Sequence, residues 1–350
     1  MFFKQLHGMR GLASLMVFFA HISAGYNLHV DPLLGHYREA GSIQYYISNI
    51  GTFGVEIFFF LSGFVISKSA SYESENEFFI RRFFRIYPLF FLCSVIFIVG
   101  NYFTQQSPEL INLAIIFKAL TFTNVFIDSP QLTPNAWSIS YEVWYYVCTF
   151  YLIGFLFSNY KANRIKIIIA TIILSWFLIV KPITVYFILG GLLYFNYGRI
   201  IDLLSRVKIN YINSFSIFLL FFLVYLVSKG YVFANDDWSV ESDTLGYLLP
   251  VLLFSLFSLS LVEDSAVGRF LSSGFLLFVG GFSYSLYLIH PYTYRIARYI
   301  FGDGLFSIGY INYGAYVLFS TALSLMVSFL VTKYFEAPIY QRMTKKRMFT

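Results

Sequence analysis

The sequence predicts an all-α membrane protein: a polytopic helical bundle of about ten transmembrane spans, one additional re-entrant or interfacial helix, and both termini cytoplasmic. Three observations carry this reading. Of the 350 residues, 58% are hydrophobic and 12% charged, against about 25% charged in a soluble domain, so too few charges exist to cover a water-facing surface. Aromatic residues reach 22%, including 43 Phe and 29 Tyr, a supply suited to lipid-facing spans and interfacial rings. Basic residues collect in short clusters between apolar runs, the positive-inside pattern. The net charge of +6 therefore belongs to membrane orientation, and no nucleic-acid partner is expected.

Eleven apolar runs lie near residues 9–28, 45–67, 83–103, 109–127, 138–158, 165–180, 183–198, 211–233, 244–262, 274–294 and 308–332. The first follows Lys4 and Arg10 and ends in Ser23-Ala24-Gly25, a signal-peptide outline. Arg10 and His21 interrupt it and the rest of the chain is also membrane, so an uncleaved first span is expected. The second run leads into 68–85, where Lys68, Arg81, Arg82 and Arg85 predict a cytoplasmic loop. Segment 159–166, with Lys161, Arg164 and Lys166, is also predicted inside, so an even number of crossings must separate the two. Three runs lie between them. The weakest is 109–127, carrying Lys118, Thr121, Thr123 and Asn124, and it is predicted to lie re-entrant or interfacial on the outer side, shielded by protein.

The next two runs return to a basic segment at 198–208, with Arg199, Arg206 and Lys208. Runs 211–233 and 244–262 flank 234–243, where Asp236, Asp237, Glu241 and Asp243 occur without Lys or Arg, as expected outside. The last two runs end at a tail with Arg342, Lys345, Lys346 and Arg347, expected inside. Residues 1–350 read as a single membrane domain. Cys93 and Cys148 both fall within apolar runs and are expected to be buried free thiols. No metal site is expected.

Ionisable side chains within spans are costly and mark function by default. Arg10 and His21 are eleven residues apart, close to three helical turns, which places them on one face about 16 Å apart along the axis. Glu142, in Trp137-Ser138-Ile139-Ser140-Tyr141-Glu142, and His290, in Tyr284 to Pro291, are predicted at the depth of His21. Arg10, Arg82 and Arg85 are predicted at the opposite depth. Arg82 and Arg85 share a helix face and suit the phosphates of a nucleotide-type thioester such as acyl-CoA; taken alone they also fit positive-inside anchors. His21 beside Glu142 suits a general base whose tautomer the carboxylate holds, or a histidine that carries the acyl group covalently. For His290 a site role and a bundle contact stand level. Glu56 is expected to pair structurally, and His7, His29 and His36 are assigned nothing.

These residues resemble membrane acyltransferase family 3, the bacterial O-acyltransferases of cell-surface and secreted carbohydrates. Leu6-His7-Gly8-Met9-Arg10 through His21 resembles its opening signature, and Gly54-Val55-Glu56 through Phe64 its second-helix motif. Arg82-Phe83-Phe84-Arg85 resembles its paired-arginine motif, and Trp137 to Glu142, Tyr284 to Pro291 and Glu336-Ala337-Pro338 follow in the family's order. His7 stands where an acidic residue is usual. No trailing hydrolase-like domain follows, which implies that the membrane domain completes transfer itself or hands over to a separate protein.

The resemblance implies an O-acyltransferase, expected to be an O-acetyltransferase. It would have acetyl-CoA as co-substrate, no bound cofactor, and a hydroxyl of a cell-envelope polysaccharide, lipopolysaccharide or related glycan as acceptor, in the bacterial inner membrane. It implies Arg10 and His21 as the catalytic pair, Arg82 and Arg85 as donor-binding and Glu142 as a supporting acid. Two other classes compete. A proton-coupled transporter or exporter of a polysaccharide or small anionic solute also uses intramembrane His, Glu and Arg; it often carries internal repeats, and none is evident between the halves. A non-catalytic partner in an envelope-assembly complex shares the fold without the activity.

Overall fold

A computed structural model describes residues 4–29, 41–127, 129–133, 135–157, 164–232, 244–302 and 309–345. The acidic segment 234–243 and, in the basic tail, Lys346 and Arg347 lie outside them.

The first three helices are long and built for a bilayer: α1 (Lys4–His29), α2 (Ile43–Tyr72) and α3 (Glu75–Thr104). Ser42 caps α2 by accepting the Tyr45 N–H. Ser74 and Glu77 form a capping box that starts α3, satisfying two backbone donors reciprocally one turn before the first of the arginines. The run 109–127 forms no span. It breaks into a 3-10 turn, the eight-residue α4 (Leu113–Leu120) and another 3-10 turn at Thr123–Val125. Eight residues reach about 12 Å, well short of a hydrocarbon core of about 30 Å.

Then follow α5 (Ala136–Phe157), α6 (Arg164–Val180), α7 (Val185–Ser205), α8 (Ile209–Ser228) and α9 (Leu248–Ser260). The short α10 (Ala266–Leu271) and α11 (Gly274–Gly281) precede α12 (Ser283–Phe301), with a bend of 74° between the last two. The chain ends in α13 (Gly309–Val331), a π-helical turn at Thr332–Glu336 and α14 (Ala337–Thr344). All of these elements are helical, with no strand among the described residues. Six helices are long and apolar enough to cross a membrane, seven if the bent α11–α12 pair counts as one.

The core is centred on α1 and α2, which pack on each other; α1 also packs on α11 and α12, and α2 on α7 and α5. The α2–α7 crossing depends on paired glycines. A Cβ at Gly63 would overlap the Phe187 carbonyl, and one at Gly190 the Phe60 carbonyl. Small residues let membrane helices approach this closely, where dispersion contacts replace the missing hydrophobic drive. Cys93 and Cys148 are buried free thiols.

Two prolines inside helices shape the centre. Pro291 in α12 has no N–H, so the carbonyl four residues earlier, at Tyr287, loses its helical partner. The Asn135 side-chain amide donates to that carbonyl instead, tying the start of α5 to α12. Pro338 sits just beyond the π-helical turn. The widened turn accommodates the proline without ending the helix and turns Glu336 inward, where it is 3% exposed.

Candidate functional site

Two cavities lie beside each other among α1, α2, α5 and α12. The first, of about 80 Å³, is lined by Arg10, Arg82, Arg85, Glu142, Tyr146 and Ser62, among others. The second, of about 260 Å³, is lined by His21, Ala24, Thr52 and Trp137, among others. Val55 and Tyr287 line both.

In the first cavity the arginines are held rather than loose. Arg85 Nη1 donates to Glu336 Oε1 at 2.8 Å, with the two side chains 14% and 3% exposed. Glu336 Oε2 accepts from Ser285 Oγ at 2.6 Å and from Thr332 Oγ1 at 3.2 Å. Arg82 Nη2 donates to Ser69 Oγ at 2.5 Å, and its guanidinium carbon sits 5.6 Å from the ring centroids of both Phe78 and Tyr146. The buried Nε of Arg82 has no partner among the described residues. Planar guanidinium groups stacked on rings and pinned at one end keep their remaining donors preorganised for an anion. Arg82 and Arg85 are three residues apart on one helix and both reach this cavity, as their spacing predicts.

Glu142 overturns one expectation. The sequence predicts it at the depth of His21, as the acid that orients the imidazole. It lies instead in the guanidinium cavity, within electrostatic reach of Arg10. Its Oε1 accepts from Ser62 Oγ at 2.6 Å and from the Tyr146 hydroxyl. The cause is helix geometry. Trp137, one residue into α5, lines the His21 cavity, and Glu142 lies five residues further along. That is about 7.5 Å of rise, which carries the carboxylate across the boundary between the cavities.

The partner of His21 is His290. His21 Nδ1 and His290 Nε2 are 2.7 Å apart, with ring centroids 4.9 Å apart. His290 is 1% exposed, and its Nδ1 lies 2.9 Å from the Leu286 carbonyl oxygen. A carbonyl only accepts, so a neutral His290 carries its proton on Nδ1 and offers a bare Nε2. A neutral His21 must then donate from Nδ1, which leaves the lone pair on its own Nε2. The chain of contacts Leu286 carbonyl, His290, His21 thus selects one tautomer of the cavity histidine, the task expected of Glu142.

Arg10 and His21 belong to one helix but line different cavities, in keeping with their separation of three turns. Glu56 is fully buried and accepts from the Tyr186 hydroxyl at 2.6 Å, the structural pairing expected. His7 packs against Gly280 and Gly281 at the α1–α11 contact. The sequence by itself assigns no role to Ser62, Tyr146 or Tyr287, and marks Glu336 only as part of the Glu336-Ala337-Pro338 motif. A carboxylate directly before Ala337-Pro338 at the end of an apolar run was the available signal for Glu336. The described residues hold no group of three or more His, Cys, Asp or Glu arranged to bind a metal.

The sequence matches the profile of the acyltransferase family 3 domain, described as "Acyltransferase domain", over residues 3–333. It is 31% identical over 156 residues to a protein named acyltransferase MdmB from Streptomyces mycarofaciens, a match covering 41% of this chain and 37% of that relative's length. No solved structure matches.

Proposed function

The chain belongs to acyltransferase family 3, and on that membership and the two-cavity site we propose a membrane O-acyltransferase that moves an acetyl group from cytoplasmic acetyl-CoA to a hydroxyl of a cell-envelope carbohydrate. In this reading about ten helices span a bacterial inner membrane, with both termini cytoplasmic. The guanidinium cavity takes the donor and the histidine cavity the acceptor.

Arg82 and Arg85 meet phosphate oxygens of the donor, with Glu336 holding Arg85 in place until an anion competes for it. Glu142 balances the charge of Arg10 in the same cavity and accepts from Ser62 and Tyr146, a positioning role. His21 Nε2 takes the proton of the acceptor hydroxyl as its oxygen attacks the thioester carbonyl carbon. The C–S bond of the tetrahedral intermediate then breaks, the thiolate leaves, and the His21 imidazolium returns the proton to sulfur. Throughout, the Nδ1–H stays donated to His290, which orients the ring and shares the developing positive charge. General-base catalysis of this kind contributes about 10²–10⁴ in rate.

The observation that carries the reading is the pair of histidines whose contacts leave the lone pair on Nε2 of His21, a cavity-wall residue, beside a second cavity lined by three arginines. Transfer of labelled acetyl from acetyl-CoA to glycan in membrane vesicles tests it. The parent protein transfers label, and His21→Ala abolishes transfer while accumulating in the membrane at the parent level. Wild-type transfer by His21→Ala refutes the base. Vesicles that accumulate solute without transferring label identify a transporter.

A further inference from the structure

Tyr287 is the one polar side chain shared by the walls of both cavities; Val55 is the other shared residue. Its ring is 7% exposed and meets Phe58 edge-on at 5.8 Å. Its hydroxyl is held at two points on the start of α5: it donates to the Asn135 carbonyl at 3.0 Å, and Ser138 Oγ lies 2.7 Å away as the natural donor to the phenol oxygen. Its backbone is held as well, because Pro291 frees the Tyr287 carbonyl and Asn135 takes it. One turn further along α12, His290 holds His21. One helix therefore bears both the wall between the cavities and the residue that sets the imidazole tautomer.

The geometry points to Tyr287 as the partition between the two compartments, a ring latched by Ser138 and Asn135 that separates the guanidinium cavity from the histidine cavity and against which the acyl end of a donor abuts. The physical grounds are specific. A phenol that only filled a core would need its hydroxyl satisfied once; this one is held at two points on the start of α5, on a wall that both cavities share. A rotation that breaks the Asn135 and Ser138 contacts joins those spaces, as attack of the acceptor oxygen on the thioester carbonyl requires, and nothing else polar among the described shared wall residues has to move. Compartmentation stands independently of what is transferred. The consequence for acyl size rests on the acyltransferase reading: a closed ring leaves room for a short acyl group and excludes longer chains.

The test reads access rather than turnover. Ala24, on the histidine cavity, and Val65, on the guanidinium cavity, are each replaced by Cys in the full-length protein in oriented proteoliposomes. A membrane-impermeant anionic thiosulfonate is then applied to one face at a time. The parent chain with its buried Cys93 and Cys148 sets the background. With Tyr287 in place, Ala24→Cys labels from one face and Val65→Cys from the opposite face. Tyr287→Ala lets each label from both faces. Tyr287→Phe keeps the ring but loses the latch, and raises labelling of Ala24→Cys from the far face at least tenfold, so the idea stays testable if the Ala variant does not fold. Labelling of Ala24→Cys from both faces in the presence of Tyr287, from neither face in any variant, or unchanged by both Tyr287 substitutions overturns the partition. In a parallel arm, Tyr287→Ala accepts hexanoyl-CoA at least tenfold better relative to acetyl-CoA than the parent does, and an unchanged ratio overturns the size limit. Absence of transfer from any donor in parent and variant alike counts against the acyltransferase reading and leaves the labelling result intact.

Discussion

Replacing His290 with leucine isolates the contact that the site depends on. His21 donates its Nδ1 proton across 2.7 Å to a ring that is 1% exposed, so leucine there presents an apolar surface to that proton. A buried donor left without a partner costs about 1–3 kcal/mol. That penalty falls on the stability of the folded site; the rate loses only the part of the bond that strengthens as His21 becomes cationic in the transition state. His21 has a second way to respond: it can move its proton to Nε2, where the base is needed, and the loss then approaches the whole contribution of general-base catalysis, about 10²–10⁴. The expected outcome for His290→Leu is a fall in kcat of about 100-fold, with KM for acetyl-CoA within about twofold of the parent, because binding in the guanidinium cavity is untouched. Release of free thiol from acetyl-CoA in proteoliposomes supplied with extracted acceptor glycan measures both constants. His290→Gln, whose amide oxygen can accept from His21, recovers about tenfold of the loss if the role is to hold a tautomer. An unchanged kcat in His290→Leu, or a change confined to donor KM, refutes the relay.

Other expectations follow from the same contacts. Glu336→Ala leaves Arg85 half-buried without its carboxylate; breaking such a pair costs about 3–5 kcal/mol, visible as a lower Tm in detergent, and an unaltered Tm shows that the pair is no strut. Arg82→Ala combined with Arg85→Ala weakens acetyl-CoA binding by the purified protein, and unchanged binding returns both residues to the status of membrane anchors. Asn135→Ala strands the Tyr287 carbonyl at a cost of about 1–3 kcal/mol; adding Pro291→Ala restores a helical N–H and reduces that cost, so additive Tm losses in the double variant exclude the proposed exchange of partners. Gly63→Leu drives a side chain into the Phe187 backbone and abolishes folded protein by size-exclusion chromatography, whereas Gly198→Ala, with nothing within 4 Å of the added Cβ, is tolerated; equal yields contradict the close α2–α7 crossing.

Much of this molecule is written in local properties. A chain with 12% charged residues in apolar runs and basic intervals has too few charges to cover a water-facing surface, and in a bilayer each lipid-exposed backbone group must be satisfied within its own helix. Counting basic loops was enough to withdraw 109–127 from the list of crossings, and that run does break into short pieces. The three-residue spacing of Arg82 and Arg85 put them on one face without any knowledge of neighbours. Helical periodicity also separated Arg10 from His21 by about three turns, and they duly line different cavities.

The tertiary structure alone decided which polar groups meet. His21 and His290 are 269 positions apart in sequence and Arg85 and Glu336 are 251 apart, so no spacing rule connects them. Glu142 is misplaced for a related reason: its position along α5 is legible, but the boundary between the two cavities falls between Trp137 and Ser138, and only packing sets that boundary. What sets the histidine pairing is how closely and at what rotation the helices dock, with α1 seated on α11 through close backbone contacts at Gly11 and Gly280 and α12 turned by the bend of 74° before it. Hydropathy places a side chain in the membrane; only the packing of one helix on another determines what that side chain touches, because a rotation that leaves every run equally apolar exchanges one polar partner for another.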